Sequence, residues 1–428
     1  MIPSIETKST EEIKRFQEVQ LKQLLAYLQE KSPYYKVRFK KEAIDLTSIQ
    51  NLEDLQQLPI TTKDDLQLHN DEFICVPRSE IIDYVTTSGT LGSPVTFALT
   101  DADLDRLAYN ESISFSCAGV KKGDILQLMT TMDRRFMAGL AYFLGARKLG
   151  AGVIRVGVGV PELQWDSILK FKPTYLIVVP SFLLKLIDYA DANGIDYNSL
   201  DIKGAICIGE ALRNQDFEHN TLAKKIKDKW DLNLYSTYAS TEMSTAFTEC
   251  QHQQGGHLHP ELIIVEILDD HNNSVAPGEV GELTVTTLGL EAMPLLRFKT
   301  GDLVKAHHEP CECGRTTLRL GPLLGRKQQM IKYKGTTLYP PAILDLLNHH
   351  SEIENYVIEF FKNDVDIDEI LIKIGSKNNS DEFLEKLESH FRAKLRVLPK
   401  IEFHPIHEIN KLRFPKMSRK PVVIIDKR

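Results

Sequence analysis

The most informative stretch of this chain is Thr87-Ser88-Gly89-Thr90-Leu91-Gly92, which is followed by Ser93 and Pro94. Its glycines allow close backbone approach, and its hydroxyls and N–H groups can bond phosphate oxygens, as in anion-binding loops. Taken alone, the stretch also fits an ordinary turn. A P-loop is excluded, because Ser93 and Pro94 stand where that motif requires Lys and Ser or Thr. Positive charge for a bound phosphate must therefore come from a metal or from distant basic residues.

The region after this loop alternates between two kinds of pattern. Helical spacing predicts helices at 103–118 and 182–192. Short apolar runs predict buried strands at 125–129, 152–156, 175–179 and 204–208. This alternation predicts parallel α/β layers.

After Glu261 the sequence pattern changes from alternating helices and strands to strands joined by turns. Strands are predicted at 263–268 and 281–286, and the turn signals Asn272-Asn273 and Pro277-Gly278 lie between them. Such a pattern is typical of a hairpin or a small barrel. We therefore expect a β-rich subdomain in this region.

The two ends of the chain predict a first helix and a last domain. Ser9-Thr10-Glu11-Glu12 is a capping box that opens an amphipathic helix. Beyond Arg326, a helix at 380–395 with Asn379 as its cap alternates with strands at 369–374, 400–404 and 422–425. The predicted fold is α/β, with a large N-terminal domain, 1–325, made of parallel α/β layers plus the β-rich subdomain. A small, mobile α+β C-terminal domain, 326–428, follows.

Composition excludes several classes of function. The chain has 428 residues, of which 42% are hydrophobic and 26% charged, as expected of a globular protein with about two or three domains. Its net charge of −7 provides no basic field for nucleic acid or a membrane surface. No apolar run predicts a signal core or a membrane span, and the six cysteines lack a disulfide-framework spacing. We expect a cytoplasmic protein with small-molecule partners, and a homodimer stays open.

Four further segments carry groups suited to a nucleotide. Tyr238-Ala239-Ser240-Thr241-Glu242 places a hydroxyl beside a carboxylate, which suits phosphate with Mg²⁺. Thr300-Gly301-Asp302 offers two acceptor oxygens for a ribose diol. Gly325-Arg326 and Lys420 offer cations. Each segment alone also fits a turn or a solvated charge.

The order of these motifs resembles the adenylate-forming superfamily of acyl-CoA synthetases over essentially the whole chain. The resemblance is to the phenylacetate-CoA ligase family in particular. Segments typical of that family are Ser32-Pro33-Tyr34-Tyr35, 58–66, 118–124, Cys313-Gly314-Arg315 and Ile425-Asp426-Lys427-Arg428. The resemblance implies an ATP-dependent acid:CoA ligase that forms an acyl-adenylate and releases AMP and pyrophosphate. An aryl or arylacetic acid is the expected substrate, with ATP, Mg²⁺ and coenzyme A as cofactors.

The same resemblance implies a role for each motif residue. The β- and γ-phosphates of ATP would be bound by the loop residues Thr87, Ser88, Gly89, Thr90 and Gly92. The rest of the nucleotide would be bound by Gly209, Glu210, Ala211, Tyr235, Tyr238, Ala239, Ser240, Asp302 and Arg326. The expected catalytic residues are Thr241 at the α-phosphate, Glu242 on Mg²⁺, and Lys420 on the α-phosphate and the attacking carboxylate. The acid pocket is expected along 132–142 and near Gly209, and Phe136 and Tyr142 could form an aromatic slot there.

The chain departs from the family pattern at three places. Ser93 stands in place of the usual loop Lys, Ala239 in place of Gly, and Gln328-Gln329 in place of an Asp pair at the expected interdomain hinge. Lys420 also has rivals in Lys416 and Lys411, and it is chosen by counting back from the C-terminal segment. Two other functions stay open: transfer of the acyl group to a carrier protein or an amine, and nucleotide binding without catalysis.

A metal site is a separate hypothesis. A Cys₃His set is the usual composition of a structural Zn²⁺ site, and here it would consist of Cys250, His257, Cys311 and Cys313. His252 and His259 compete with His257 as the fourth ligand. The alternative is a group of reduced thiols and imidazoles without a metal.

Overall fold

The structure is a computed structural model, and it divides the chain into two compact units. The units are Met1–His219 with Ala223–Leu323, and Asn220–Leu222 with Leu324–Arg428. The residues that it describes are 2–87, 94–333, 336–364, 367–415 and 421–428. Within these ranges, no helix is both long and apolar enough to cross a lipid bilayer.

The helices and strands follow one another along the chain in a mixed order. The α-helices are α1 (Thr10–Lys31), α2 (Pro33–Lys41), α3 (Lys63–Leu68), α4 (Asp101–Cys117), α5 (Met137–Leu149), α6 (Pro161–Phe171), α7 (Pro180–Asn193), α8 (Thr221–Lys227), α9 (Pro340–His349), α10 (Asp381–Leu395) and α11 (Ile406–Arg413). The first strands are β1 (Asp83–Thr86), β2 (Thr96–Leu99), β3 (Ile125–Leu128), β4 (Gly152–Arg155), β5 (Tyr175–Val178), β6 (Gly204–Ile208), β7 (Asn233–Ser240), β8 (Thr245–Thr248), β9 (Gly256–His257) and β10 (Ile263–Leu268). The later strands are β11 (Val280–Thr287), β12 (Phe298–His307), β13 (Arg319–Leu320), β14 (Gly325–Arg326), β15 (Ile331–Tyr333), β16 (Thr336–Leu338), β17 (Ile353–Lys362), β18 (Asp368–Ser376), β19 (Lys400–His404) and β20 (Ile424–Asp426).

The first unit contains the predicted parallel layer. Its six-stranded sheet has the order β4-β3-β5-β6-β7-β8, in which every pairing is parallel except that of β7 with β8. All four residues of β5 and all five of β6 are buried, because helices cover a parallel sheet on both faces. The predicted strands and helices of this layer are confirmed to within two residues at each end.

The β-rich subdomain is also confirmed. β10 pairs with β11 in antiparallel register, from Ile263 opposite Thr287 to Leu268 opposite Glu282. The sheet continues through β12 and β13 to β9. Its buried face joins the apolar residues of α1 in one core, which includes Leu21, Leu25, Ile263, Leu283 and Phe298. The capping box of α1 is present as predicted, since Ser9 and Glu12 exchange their hydrogen bonds.

The second unit is a small α+β domain. A four-stranded sheet with the order β19-β18-β17-β20 packs against α9 and α10 around a core that includes Ile358, Ile372 and Leu387. The predicted helix begins at Asp381, and the cap prediction was wrong. Ser380, not Asn379, accepts the hydrogen bond from the Phe383 amide, because the cap is the residue directly before the first helical turn.

Candidate nucleotide site and a buried cysteine and histidine cluster

The parallel strands of the first unit end at one edge of the sheet. In open α/β sheets, ligands bind at this carboxyl edge. Directly after β6, Gly209 adopts a φ of +78°, which favours glycine. The next residue, Glu210, accepts hydrogen bonds from the Ser181 amide at 2.8 Å and from its hydroxyl at 2.9 Å. The predicted adenine-side segment is therefore held at the carboxyl edge, where Glu210 caps the N-terminus of α7.

Two of the predicted motifs meet beside this segment. The Tyr238 hydroxyl donates a hydrogen bond of 2.6 Å to Oδ2 of Asp302, across 64 residues of sequence. Asp302 is 5% exposed, and its amide donates to the Thr300 hydroxyl at 3.1 Å. Tyr235, which precedes this pair on β7, is buried. The Asp302 carboxylate is thus held in a fixed, largely dry position, as a ligand for a ribose diol needs to be.

The turn that carries Thr241 and Glu242 connects β7 to β8. Ser240 accepts a hydrogen bond from the Met243 amide through its hydroxyl. Arg106, buried in α4, donates to the Ser244 carbonyl at 2.7 Å and also to the carbonyls of two residues of the β-rich subdomain, Leu262 and Leu288. Burial lowers the pKa of Arg106 to about 10. Sequence reasoning missed this residue, since a lone Arg in a helix pattern is ordinarily a surface charge.

Thr87 stands at the base of the predicted phosphate loop. Its hydroxyl accepts a hydrogen bond from the Val95 amide at 3.0 Å, and its own amide donates to the Val95 carbonyl. The preceding residue, Thr86, donates its amide to the Arg135 carbonyl at 3.0 Å. Because Arg135 follows β3, this bond ties the base of the loop to the carboxyl edge of the sheet. The predicted residues Ser88, Gly89, Thr90, Gly92 and Lys420 lie outside the described residues.

Two further predicted residues, Arg326 and Tyr142, lie in a short strand and in a helix. Arg326 forms β14 with Gly325 in the second unit, and a side chain at Gly325 would meet Tyr339 at 2.7 Å. Tyr142, expected in the acid pocket, is 4% exposed and belongs to the core of the parallel layer beside Phe115. Phe136 is partly buried at the start of α5, so it is the better candidate for an aromatic pocket wall.

The four predicted metal ligands converge. The ligand atoms of Cys250, His257, Cys311 and Cys313 all lie within 4.8 Å of one another. The Cys250 and Cys311 sulfurs are 3.6 Å apart, and the Cys313 sulfur is 3.6 Å from Nε2 of His257. A tetrahedral Zn²⁺ site has ligand-to-ligand edges of about 3.5–3.8 Å, as follows from its bond lengths. The donor set and its spacing therefore fit Zn²⁺.

The rival histidines are engaged elsewhere. Nδ1 of the buried His259 pairs with the carboxylate of Glu6 at 2.5 Å, and His252 lies 3.3 Å from Glu312. Arg315 also pairs with Glu6 and donates to the Cys313 sulfur at 3.4 Å. Burial raises the pKa of the Glu6 carboxyl, but His259 and Arg315 outweigh this and lower it. Glu6 therefore links the N-terminal segment to the cluster, a role that no local pattern in the sequence indicated.

Comparison with known proteins identifies the family of this chain. A model of the family described as "AMP-binding enzyme" matches residues 13–291. A phenylacetate-coenzyme A ligase of Thermus thermophilus is 30% identical over 415 residues, which cover 94% of this chain and 92% of that protein. The Escherichia coli enzyme of the same name is 28% identical and covers 83% of this chain and 78% of its own length.

A solved structure matches the whole chain in fold. It is a 2-hydroxyisobutyryl-CoA ligase in the postadenylation state in complex with R3-HIB-AMP, with a TM-score of 0.85. The match covers 100% of this chain and 92% of the other at 23% identity, so it bears on the fold alone. The chain belongs to the AMP-binding enzyme family. Within that family it is an AMP-forming acyl-CoA synthetase related to the phenylacetate-coenzyme A ligases.

Proposed function

We propose that this enzyme activates an aryl or arylacetic acid, such as phenylacetate, and transfers the acyl group to coenzyme A. The substrate class rests on the four phenylacetate-coenzyme A ligases that match most of the chain at 27–30% identity. The observation that carries the proposed site is the contact between Tyr238 and Asp302, because it unites two motifs of the nucleotide site. The proposed location is cytoplasmic.

The first half-reaction is an attack by the carboxylate oxygen on the α-phosphorus of ATP. A new bond forms between that oxygen and phosphorus, and the bond to the bridging oxygen of pyrophosphate breaks. Asp302 would hold the ribose, and Thr241 would contact the α-phosphate. Glu242 has the oxygen ligands that Mg²⁺ prefers, and that ion would neutralise charge on the phosphates.

The second half-reaction would be an attack by the coenzyme A thiol on the carbonyl of the acyl-adenylate. AMP is the leaving group. By the resemblance, the predicted C-terminal domain rotates between the two steps and withdraws Lys420. Such a motion would shield the labile anhydride from water.

A substrate panel tests this proposal. We expect acid-dependent exchange between ATP and pyrophosphate with phenylacetate or a related aryl acid, and thioester formation when coenzyme A is added. Medium-chain fatty acids serve as the comparison, since they lack a ring. Exchange without thioester formation would instead favour a carrier protein or an amine as the acceptor. Absence of exchange with every acid would contradict the proposed activity.

We also propose that Cys250, His257, Cys311 and Cys313 hold one structural Zn²⁺. The purified protein is expected to contain about one zinc per chain, and Cys311→Ser should lose most of it and lower the melting temperature, because the metal crosslinks two distant segments. Cys207→Ser is the control for metal content, since Cys207 is also buried but lies in β6, outside the cluster. A protein that contains no zinc when it is prepared without chelators would contradict the assignment.

A further inference from the structure

The turn between β3 and α5 has an unusual backbone. Arg134 and Arg135 are adjacent, and both have positive φ angles, 56° and 59°. This left-handed region is unfavourable for residues with a side chain, and two in succession are rare. Strained positions of this kind persist where the surrounding structure holds them, and they concentrate at functional sites.

The turn lies directly at the base of the predicted phosphate loop. The Arg135 carbonyl accepts the hydrogen bond of 3.0 Å from the Thr86 amide, and Thr87 directly follows β1. On the other side of the turn, α5 begins at Met137, and its cap residue Phe136 makes no side-chain capping bond. The positive end of the α5 dipole therefore faces the same region as the two arginines.

The charges of the turn are available for a ligand. The Arg134 side chain is 61% exposed, and its Nε is 4.0 Å from the carboxylate of Asp133, a contact too long for a firm ion pair. Arg135 is exposed, and its guanidinium has no hydrogen-bond or ion-pair partner among the described residues. The turn therefore carries two arginines and one carboxylate, that of Asp133, directly before the N-terminus of α5.

We propose that the turn formed by Arg134 and Arg135 binds the β- and γ-phosphates of ATP, with Arg135 as the principal contact. This inference rests on the proposed function. In this chain Ser93 stands in place of the lysine that is usual in the phosphate loop, so the loop lacks a cation that an arginine of the turn could replace. A guanidinium matches phosphate oxygens in a bidentate manner.

A cation beside the leaving group would favour adenylation. When the bond between the α-phosphorus and the bridging oxygen breaks, the electron pair leaves with pyrophosphate, and negative charge grows on that group. Arginines at the base of the loop would stabilise this charge without donating a proton. They would bind the leaving group rather than the adenosine.

Arg135→Gln tests this assignment by calorimetry on the full chain. We expect the variant to bind MgATP at least 10-fold more weakly and to show a similar increase in the dissociation constant of pyrophosphate. AMP affinity should stay unchanged, because AMP lacks the β- and γ-phosphates, and this also shows that the variant is folded. Arg134→Gln should show a smaller effect in the same direction, and Arg135→Lys should partly restore ATP binding.

Arg147→Gln is the matched control. Arg147 is an exposed arginine in the last turn of α5, at the far end of the helix from Thr86, and its replacement should change neither affinity. Equal loss of AMP and ATP affinity in Arg135→Gln would overturn the assignment, as would unchanged ATP binding with a raised KM for an anionic acid. A wild-type chain that binds neither nucleotide would overturn the proposed function itself, whatever the arginine variants show.

Discussion

Asp302→Ala is expected to weaken the binding of MgATP and of AMP by about 100-fold or more. The carboxylate is buried and oriented by Tyr238, and in the proposed site both of its oxygens accept hydrogen bonds from the ribose hydroxyls. A hydrogen bond to a charged group contributes about 1.5–3 kcal/mol, and about 1.4 kcal/mol corresponds to a tenfold change in affinity. Titration calorimetry with each nucleotide measures the effect.

Tyr238→Phe tests how much of the nucleotide affinity depends on the orientation of the Asp302 carboxylate. This variant removes the hydroxyl that donates to Oδ2 of Asp302 and leaves the ring in place. We expect a loss of about 10-fold in nucleotide affinity, in line with one hydrogen bond to a charged group. If Asp302→Ala is folded, as judged by its melting curve, and still binds nucleotide with wild-type affinity, the nucleotide binds elsewhere.

Lys420→Ala is expected to lower the rate of acyl-adenylate formation by about 100- to 1,000-fold, the usual effect of removing one stabilising group from a transition state. The proposed ammonium neutralises charge on the α-phosphate as the carboxylate attacks. Because Lys420 is withdrawn before the second step, thioester formation from a chemically prepared acyl-adenylate should be nearly unchanged. The two half-reactions are measured by ATP–pyrophosphate exchange and by thioester formation from the acyl-adenylate.

Lys416→Ala and Lys411→Ala provide the controls for this assignment. All three lysines are in the C-terminal segment, and only Lys411 is among the described residues, so the choice among them depends on counting along the sequence. We expect both control variants to retain most of the exchange activity. If Lys420→Ala retains it and one of the controls loses it, the catalytic lysine has been assigned to the wrong position.

The parallel layer was predictable because its signal is local. Val178 and its three predecessors in β5 are all buried, so the strand appears in the sequence as an unbroken apolar run. The capping box at Ser9 marks the start of α1 for a similar reason, since both partners lie within one helical turn. The order of the motifs was equally visible, and it predicted the family that the comparisons show.

Contacts between distant segments could not be predicted in the same way. Glu6 and Arg315 form a buried pair across 309 residues, and neither residue stands in a pattern that distinguishes it from a surface charge. The positive φ angles of Arg134 and Arg135 are also invisible in the sequence, since arginine has no preference for that conformation. Both features depend on which segments pack together.

The sequence alone determined the apolar runs, the capping boxes and the motif order, because each depends on residues that are close along the chain. The choice of a fourth metal ligand shows what only the tertiary structure decided. His252, His257 and His259 are equivalent by spacing, but Glu6 engages His259 whereas His257 lies next to the Cys313 sulfur. A residue's partners in a folded core are set by which distant segments pack against it, and spacing along the chain does not contain that information.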